Sequence, residues 1–151
     1  MRSIAIASLG VAFLATAAIS AEVKPDSVTF GEDGIVATSL TGTPGDPAAG
    51  KAVFINRKLG NCLACHVNSD AKNQSFPGEI GPSLDGAGSR WDEAQIRGIL
   101  VNSKMTFEDT MMPSFYRLVN GARTLKKFQG KTILSAQQVE DVVAYLQTLK
   151  E

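Results

Sequence analysis

Apolar residues recur at helical spacing in the last segment of the chain, where they form a single stripe. The stripe consists of Val139, Val142, Val143, Leu146 and Leu149. An α-helix brings such positions onto one face, which is the pattern of a helix that packs against a core. Ser135 stands just before the stripe, and Gln138, three positions later, completes the sequence of a capping box. We therefore predict a C-terminal helix that starts at Ser135.

Two further helices are predicted upstream. Asp46 and Pro47 suit an N-cap and a first helical residue, and this helix should end near Gly60, which can supply a left-handed stop. Asp92 and Gln95 form a second potential capping box. Both helices carry apolar residues at helical spacing, namely Ala49, Val53 and Phe54 in the first and Ile96, Ile99 and Leu100 in the second.

The remaining segments are long and irregular. Residues 67–90 are rich in Gly, Pro, Asn and Asp, residues 103–134 are again mostly loop, and residues 22–45 form an irregular N-terminal arm. Compact domains ordinarily keep their connections short. We therefore predict an all-α fold of three to four helices, with long loops wrapped around something other than protein side chains.

The first 21 residues have the layout of a secretory signal peptide. Arg2 is followed by an apolar run from Ile4 to Ile19 without an acidic residue, and small residues precede Glu22. The alternative is a membrane anchor, but the run is shorter than the roughly 20 apolar residues that a span needs. We predict cleavage after Ser20 or Ala21, a periplasmic location and no membrane span in the mature chain.

Length and charge limit what the mature chain does. About 130 residues suffice for one small domain, which we place at residues 46–151 after the arm. The chain has 15 basic and 15 acidic residues, and loss of Arg2 leaves 14 and 15, a net charge of −1. This balance gives no basis for nucleic-acid binding, which requires a basic face.

The chemistry is concentrated in the sequence GNCLACH, which contains the only cysteines and the only histidine of the chain, Cys62, Cys65 and His66. Export favours a disulfide, but this one would close a very small loop and leave His66 without a role. Structural zinc requires four ligands, mostly Cys or His, and the chain has only three Cys and His residues in total. A thioredoxin-like pair follows a strand in a βαβ unit, and no strong strand precedes Cys62.

Covalent haem accounts for all three residues. In a CxxCH motif the two thiols add to the vinyl groups of haem, and the adjacent histidine ligates the iron. The spacing suits this chemistry because the two vinyl groups are held a fixed distance apart on a rigid ring. We predict one haem c, attached through Cys62 and Cys65 and ligated by His66.

The second iron ligand is sought among the methionines. A second histidine is absent and both thiols are used, so methionine, lysine, tyrosine or water remains. Met105, Met111 and Met112 lie in one irregular loop rather than on an apolar helix face, although core filling is the usual role of methionine. Pro113 stiffens the chain after Met112. We predict Met112 as the ligand, with Met111 as the alternative.

Pro82 is predicted to orient the histidine. A ligating histidine normally donates its other ring N–H to a carbonyl. Pro82 has a carbonyl but no N–H and follows Gly81 in a loop. A simple turn is the alternative explanation of this dipeptide.

The chain resembles class I c-type cytochromes. It has a first helix with Gly50 and Phe54, the CxxCH motif, a Gly-Pro loop, a Met-Pro loop and a last helix with Tyr145. From Asp46 onward, the sequences GNCLACH, GEIGPSL, TMMPSF and TILSAQQVEDVVAYLQTLK are similar to the SoxX subunit of the sulfur-oxidising SoxAX cytochromes. The resemblance implies the cytochrome c fold, with Gly50 and Phe54 against the last helix near Tyr145. It also implies His66 and Met112 as the iron ligands.

The same resemblance implies a function in thiosulfate oxidation. The partner would be a SoxA-like c-type cytochrome, in a heterodimer that joins thiosulfate to a cysteine of a sulfur-carrier protein and passes electrons to a downstream acceptor. Such sulfur transfer needs a free, activated cysteine, and this chain has none once haem is attached. The chain is therefore expected to relay electrons while the chemistry takes place on the partner.

Two alternatives stay open. The first is a freestanding periplasmic cytochrome that shuttles electrons to a respiratory oxidase or dehydrogenase. Such shuttles typically have a charged docking face, so the near-neutral net charge of this chain disfavours that function. The second is an enzyme with an open iron site, such as a peroxidase, which requires that Met112 is not a ligand.

Overall fold

The computed structural model describes residues 21–74, 77–119, 121–122 and 124–151. Within these ranges the chain is all-α, as predicted: it contains four α-helices and no strand. The helices are α1 (Pro47–Ile55), α2 (Ala87–Arg90), α3 (Glu93–Asn102) and α4 (Ala136–Thr148). Single 3-10 turns occupy Pro25–Ser27, Glu32–Gly34, Cys62–Ala64, Ser69–Ala71, Ser103–Met105 and Lys126–Phe128.

Residues 1–20, which hold most of the predicted signal peptide, lie outside the described part of the chain. In the described part, no helix is both long enough and apolar enough to cross a membrane.

The predicted helix starts are confirmed. Both capping boxes form. The Asp92 side chain accepts from the Gln95 N–H at 2.9 Å, and the Gln95 side chain accepts from the Asp92 N–H at 2.9 Å. The Ser135 hydroxyl accepts from the Gln138 N–H at 3.2 Å, and the Gln138 side chain accepts from the Ser135 N–H at 2.9 Å. Asp46 accepts from the Ala48 N–H at 2.8 Å. Each of these side chains satisfies an N–H that the first helical turn leaves without a partner.

The predicted end of the first helix was wrong. α1 ends at Ile55, because Asn56 adopts an extended backbone and its carbonyl accepts from the N–H groups of Leu59 and Asn61, each at 3.0 Å. The left-handed residue is Asn61 (φ 50°), not Gly60. The short helix α2 was also not predicted, since it lies in the segment rich in Gly and Pro.

α1 and α4 cross in close contact. A side chain on Gly50 would collide with the carbonyl of Asp141, so the two backbones approach more closely than any larger residue permits. The rings of Phe54 and Tyr145 pack edge to face with their centres 5.3 Å apart. This confirms the packing of Gly50 and Phe54 near Tyr145 that the family resemblance implied.

The hydroxyl of Tyr145 fixes the segment that follows the CxxCH motif. It donates to Asp70 at 2.8 Å and accepts from the amide of Asn68 at 2.9 Å. Lys51 of α1 lies 2.9 Å from the same Asp70 carboxylate. The hydrogen bonds from Lys51 and Tyr145 lower the pKa of Asp70, and burial raises the pKa of Tyr145. The carboxylate is therefore ionised and the phenol protonated at neutral pH.

A buried ion pair joins the N-terminal arm to α3 and α4. Arg97 donates to both carboxylate oxygens of Glu140, at 2.9 and 3.0 Å, and each side chain is about 5% exposed. Arg97 also donates to the Val36 carbonyl at 3.0 Å, and the Leu40 N–H donates to Glu140 at 2.7 Å. Both ions thus find further partners in the arm, which satisfies the polar groups that burial takes from water.

Candidate functional site

The CxxCH motif forms a tight turn that brings its three side chains to one cavity. Asn61 enters the turn in the left-handed region, and the N–H groups of Cys65 and His66 both donate to the Cys62 carbonyl, at 3.1 and 3.0 Å. Both cysteines are half-buried and are not joined in a disulfide. The turn therefore directs Cys62, Cys65 and His66 together toward the interior.

The cavity brings all five predicted site residues together. Its volume is about 520 Å³ and its lining includes Cys62, Cys65, His66, Pro82 and Met112. Such a volume lies in the range of roughly 300–1,000 Å³ that is usual for cofactor and ligand sites. Most other lining residues are apolar and come from all four helices and the loops between them, among them Phe54, Ala87, Ile96, Leu100, Phe115, Val142 and Leu146.

A second segment runs alongside the motif and holds it. The N–H groups of Gly78, Gly81 and Leu84 donate to the carbonyls of Leu63, Cys65 and Val67, at 2.7, 2.7 and 2.9 Å. The motif is thereby fixed from outside as well as by its own turn.

The ring of His66 is oriented by Gly81 and Pro82. The Nδ1 atom lies 2.7 Å from the Pro82 carbonyl, which can only accept, so Nδ1 donates its N–H there and Nε2 is the ring nitrogen left to ligate a metal. A side chain on Gly81 would overlap the imidazole ring, so this position must be glycine for the ring to lie where it does. The sequence indicated Pro82; the contact of Gly81 with the ring was not predicted.

The three candidate methionines differ in position. Met111 and Met112 line the cavity and Met105 does not. The side chain of Met111 is 76% exposed, whereas Met112 is partly buried and packs against the core. Among the three, Met112 alone combines contact with the core and a place in the cavity wall.

The thiol of Cys62 is poorly suited to thiol exchange. Burial raises the pKa of Cys62 to about 12, so the thiolate that exchange requires is scarce at neutral pH. Among the described residues no group of three or more His, Cys, Asp or Glu side chains is placed to hold a metal ion. The raised pKa of Cys62 agrees with the argument against a redox dithiol.

The charged part of the cavity wall is entirely basic in the described residues. Arg57, Lys58 and Lys127 line the cavity, and no aspartate or glutamate does. A cofactor with carboxylate groups matches this charge. These three residues were not predicted, because nothing in the local sequence marks a lysine or arginine in a loop as part of a cavity wall.

Comparison with known proteins agrees with this site. Residues 47–150 match the family model described as cytochrome c. The chain belongs to the cytochrome c family. Cytochrome c proteins carry covalently bound haem c, and the site fits that group: two thiols, a histidine with a free Nε2, an apolar interior and a basic wall meet in one cavity.

Solved cytochrome structures are also similar to this cytochrome c. A chain in the crystal structure of SoxXA from P. pantotrophus is 49% identical, with a TM-score of 0.80 and a match that covers 87% of this chain and 100% of that chain. The c-type cytochrome SorU from Sinorhizobium meliloti is 24% identical, with a TM-score of 0.45, over 69% of this chain and 90% of that chain. No curated protein matches.

Proposed function

We propose that this cytochrome is the monohaem electron-transfer subunit of a thiosulfate-oxidising complex of the SoxAX type. The observation that carries the proposal is the 49% identity to a SoxXA chain whose whole length is matched. Identity at this level over a complete chain extends beyond the CxxCH motif that all c-type cytochromes share. It therefore favours a common role as well as a common fold.

Each site residue has a specific part in this proposal. Cys62 and Cys65 hold one haem c through thioether bonds, and His66 ligates the iron through Nε2 while Pro82 keeps Nδ1 protonated. Met112 is the second ligand. When bound, haem c supplies a one-electron carrier. The apolar side chains around it exclude water, and the basic residues of the wall balance its carboxylates.

The sulfur chemistry belongs to the partners in this proposal. With Cys62 and Cys65 used as thioethers, the chain has no thiol that could accept sulfur. A SoxA-like cytochrome would form a heterodimer with this chain, thiosulfate would be joined to a cysteine of a sulfur-carrier protein, and a downstream acceptor would take the electrons. We place the protein in the periplasm, with residues 1–21 as signal peptide, 22–45 as N-terminal arm and 46–151 as haem domain.

Affinity purification of the tagged holoprotein from its own periplasm tests the proposed complex. We expect a second c-type cytochrome to co-purify, and we expect thiosulfate to reduce the haem only when a sulfur-carrier protein is added. A protein that purifies alone, and that generic donors but not thiosulfate reduce, would contradict the proposal and leave a freestanding shuttle.

Replacement of Met112 tests the ligand assignment. We expect Met112→Ala to abolish the weak long-wavelength band that sulfur–iron ligation gives to ferric haem. The reduction potential should also fall by a sizeable part of the roughly 0.8 V that axial ligands span, because a thioether raises it. Met111→Ala is the matched control and should keep both properties, since Met111 is largely exposed. The opposite result for the two variants would assign Met111 instead.

A further inference from the structure

We propose that Ser103 and Lys104, at the end of α3, are positioning residues that hold Met112 through its carbonyl and so determine how readily this ligand leaves. The inference rests on the proposed function in one respect, that Met112 is the second ligand. Ser103 donates from its hydroxyl to the Met112 carbonyl at 2.8 Å, and the ammonium group of Lys104 donates to the same oxygen. A carbonyl has two lone pairs and can accept both bonds.

The segment after Met112 is joined to the end of α3 residue by residue. The N–H groups of Phe115 and Tyr116 donate to the carbonyls of Leu100 and Val101, at 3.0 and 3.4 Å. Ser114 donates to the side chain of Asn102 at 2.7 Å. The last carbonyls of a helix have no partner within it, and here the loop that carries Met112 supplies the donors. The loop is therefore attached to a rigid element along its length.

Ser103 is a rigid donor. It is fully buried, and its own carbonyl accepts from the N–H groups of Thr106 and Phe107, at 3.2 and 2.8 Å, which closes a turn around it. Lys104 is exposed, so water weakens its bond to Met112. We therefore assign the larger part of the effect to Ser103.

The Met112 backbone is also held from its other side. Its N–H donates to the hydroxyl of Thr110 at 3.2 Å, and Pro113 has no N–H that could compete for neighbouring acceptors. The carbonyl and the N–H of Met112 are thus both fixed, whereas the exposed Met111 side chain beside it is not part of this arrangement. Any departure of the thioether from the iron that needs movement of the Met112 backbone therefore stretches or breaks these bonds.

Binding of free imidazole to the ferric holoprotein measures this restraint, because imidazole ligates the iron only after Met112 leaves. A net hydrogen bond corresponds to roughly a two- to tenfold change in an equilibrium constant. We expect Ser103→Ala to raise the association constant for imidazole by about that factor, and Lys104→Met by about twofold. Ser89→Ala and Lys150→Met change exposed residues outside the cavity wall and should leave the association constant for imidazole unchanged.

A third control separates an effect on Met112 from a general loss of stability. Val139→Ala removes buried side-chain atoms from α4 without touching the cavity wall, so it should lower the denaturant midpoint but leave imidazole binding unchanged. An imidazole constant of Ser103→Ala equal to that of the wild type would overturn the proposal, and so would an equal increase in Val139→Ala.

The measurements distinguish a wrong ligand assignment for Met112 from a wrong positioning role for Ser103. If Met112 is not the ligand, Met112→Ala keeps the wild-type ferric spectrum and binds imidazole as the wild type does, which overturns the ligand assignment and the positioning role together. If Met112→Ala loses the sulfur–iron band and Ser103→Ala binds imidazole as the wild type does, only the positioning role is wrong.

Discussion

Simultaneous replacement of Cys62 and Cys65 by alanine should give a protein with no covalent haem and no stable fold. A haem held by these two cysteines would occupy the cavity of about 520 Å³, whose wall includes residues of all four helices. Without the cofactor this largely apolar wall would face water or have to collapse, and either outcome lowers the free energy of unfolding. The whole stability of a small domain is about 5–15 kcal/mol. The apolar wall has too little polar surface for water to replace the lost contacts.

Three measurements check this result in protein expressed with the haem-attachment machinery. Haem staining on a denaturing gel reports covalent attachment, circular dichroism reports helix content, and thermal unfolding reports cooperativity. The single variant Cys65→Ala is the matched control: it should keep one thioether, stain for haem, and show a red-shifted pyridine spectrum because one vinyl group stays conjugated. A double variant with native helix content and a cooperative transition would show that the fold does not depend on attachment.

The second large effect is expected from the buried ion pair between Arg97 and Glu140. Arg97→Met leaves the carboxylate of Glu140 buried without its cation, and Glu140→Leu leaves the guanidinium without its anion. Each change should lower the free energy of unfolding by about 3–5 kcal/mol, as loss of one partner of a buried pair does. The haem spectrum should be unaffected, because neither residue lines the cavity.

Denaturant unfolding of the holoprotein and its variants measures the effect. We expect the double variant Arg97→Met/Glu140→Leu to lose less than the sum of the single losses, although the Leu40 N–H and the Val36 carbonyl would both lose their partner. Glu93→Gln is the control, since Glu93 is 3.8 Å from Arg97 but 70% exposed, and its change should stay within about 1 kcal/mol. Losses below about 1 kcal/mol in both single variants would contradict the assigned role.

Sequence reasoning succeeded where the determining interactions are local. The three predicted helix starts depend on side chains two or three positions from the N–H groups that they cap, and they were found. The close approach of Cys62, Cys65 and His66 likewise follows from their spacing within one turn. The contact of Pro82 with His66 spans 16 residues and was predicted from chemistry, because a ligating histidine needs a carbonyl acceptor.

It failed where partners are distant and locally unremarkable. Arg97 and Glu140 are 43 positions apart, and each has the ordinary appearance of a charged residue on a helix surface. Ser103 gives no sign in sequence that its hydroxyl meets the Met112 carbonyl. The end of α1 was misplaced because Gly60 has a strong propensity for a left-handed stop, whereas the hydrogen bonds to Asn56 ended the helix earlier.

The crossing of α1 and α4 also determines the order in which parts of the fold can form. The backbone N–H of Asp46, at the start of α1, donates to the carboxylate of Asp141 in α4 across 95 positions, so this contact cannot form until almost the whole chain is present. The CxxCH motif lies between these helices and emerges first from a chain made from its N-terminus onward. Contacts between distant positions form slowly, since their loops must first close. The part of the cavity wall that Val142 and Leu146 supply is therefore completed last, with the thirteen-residue helix α4, after both thiols have been made.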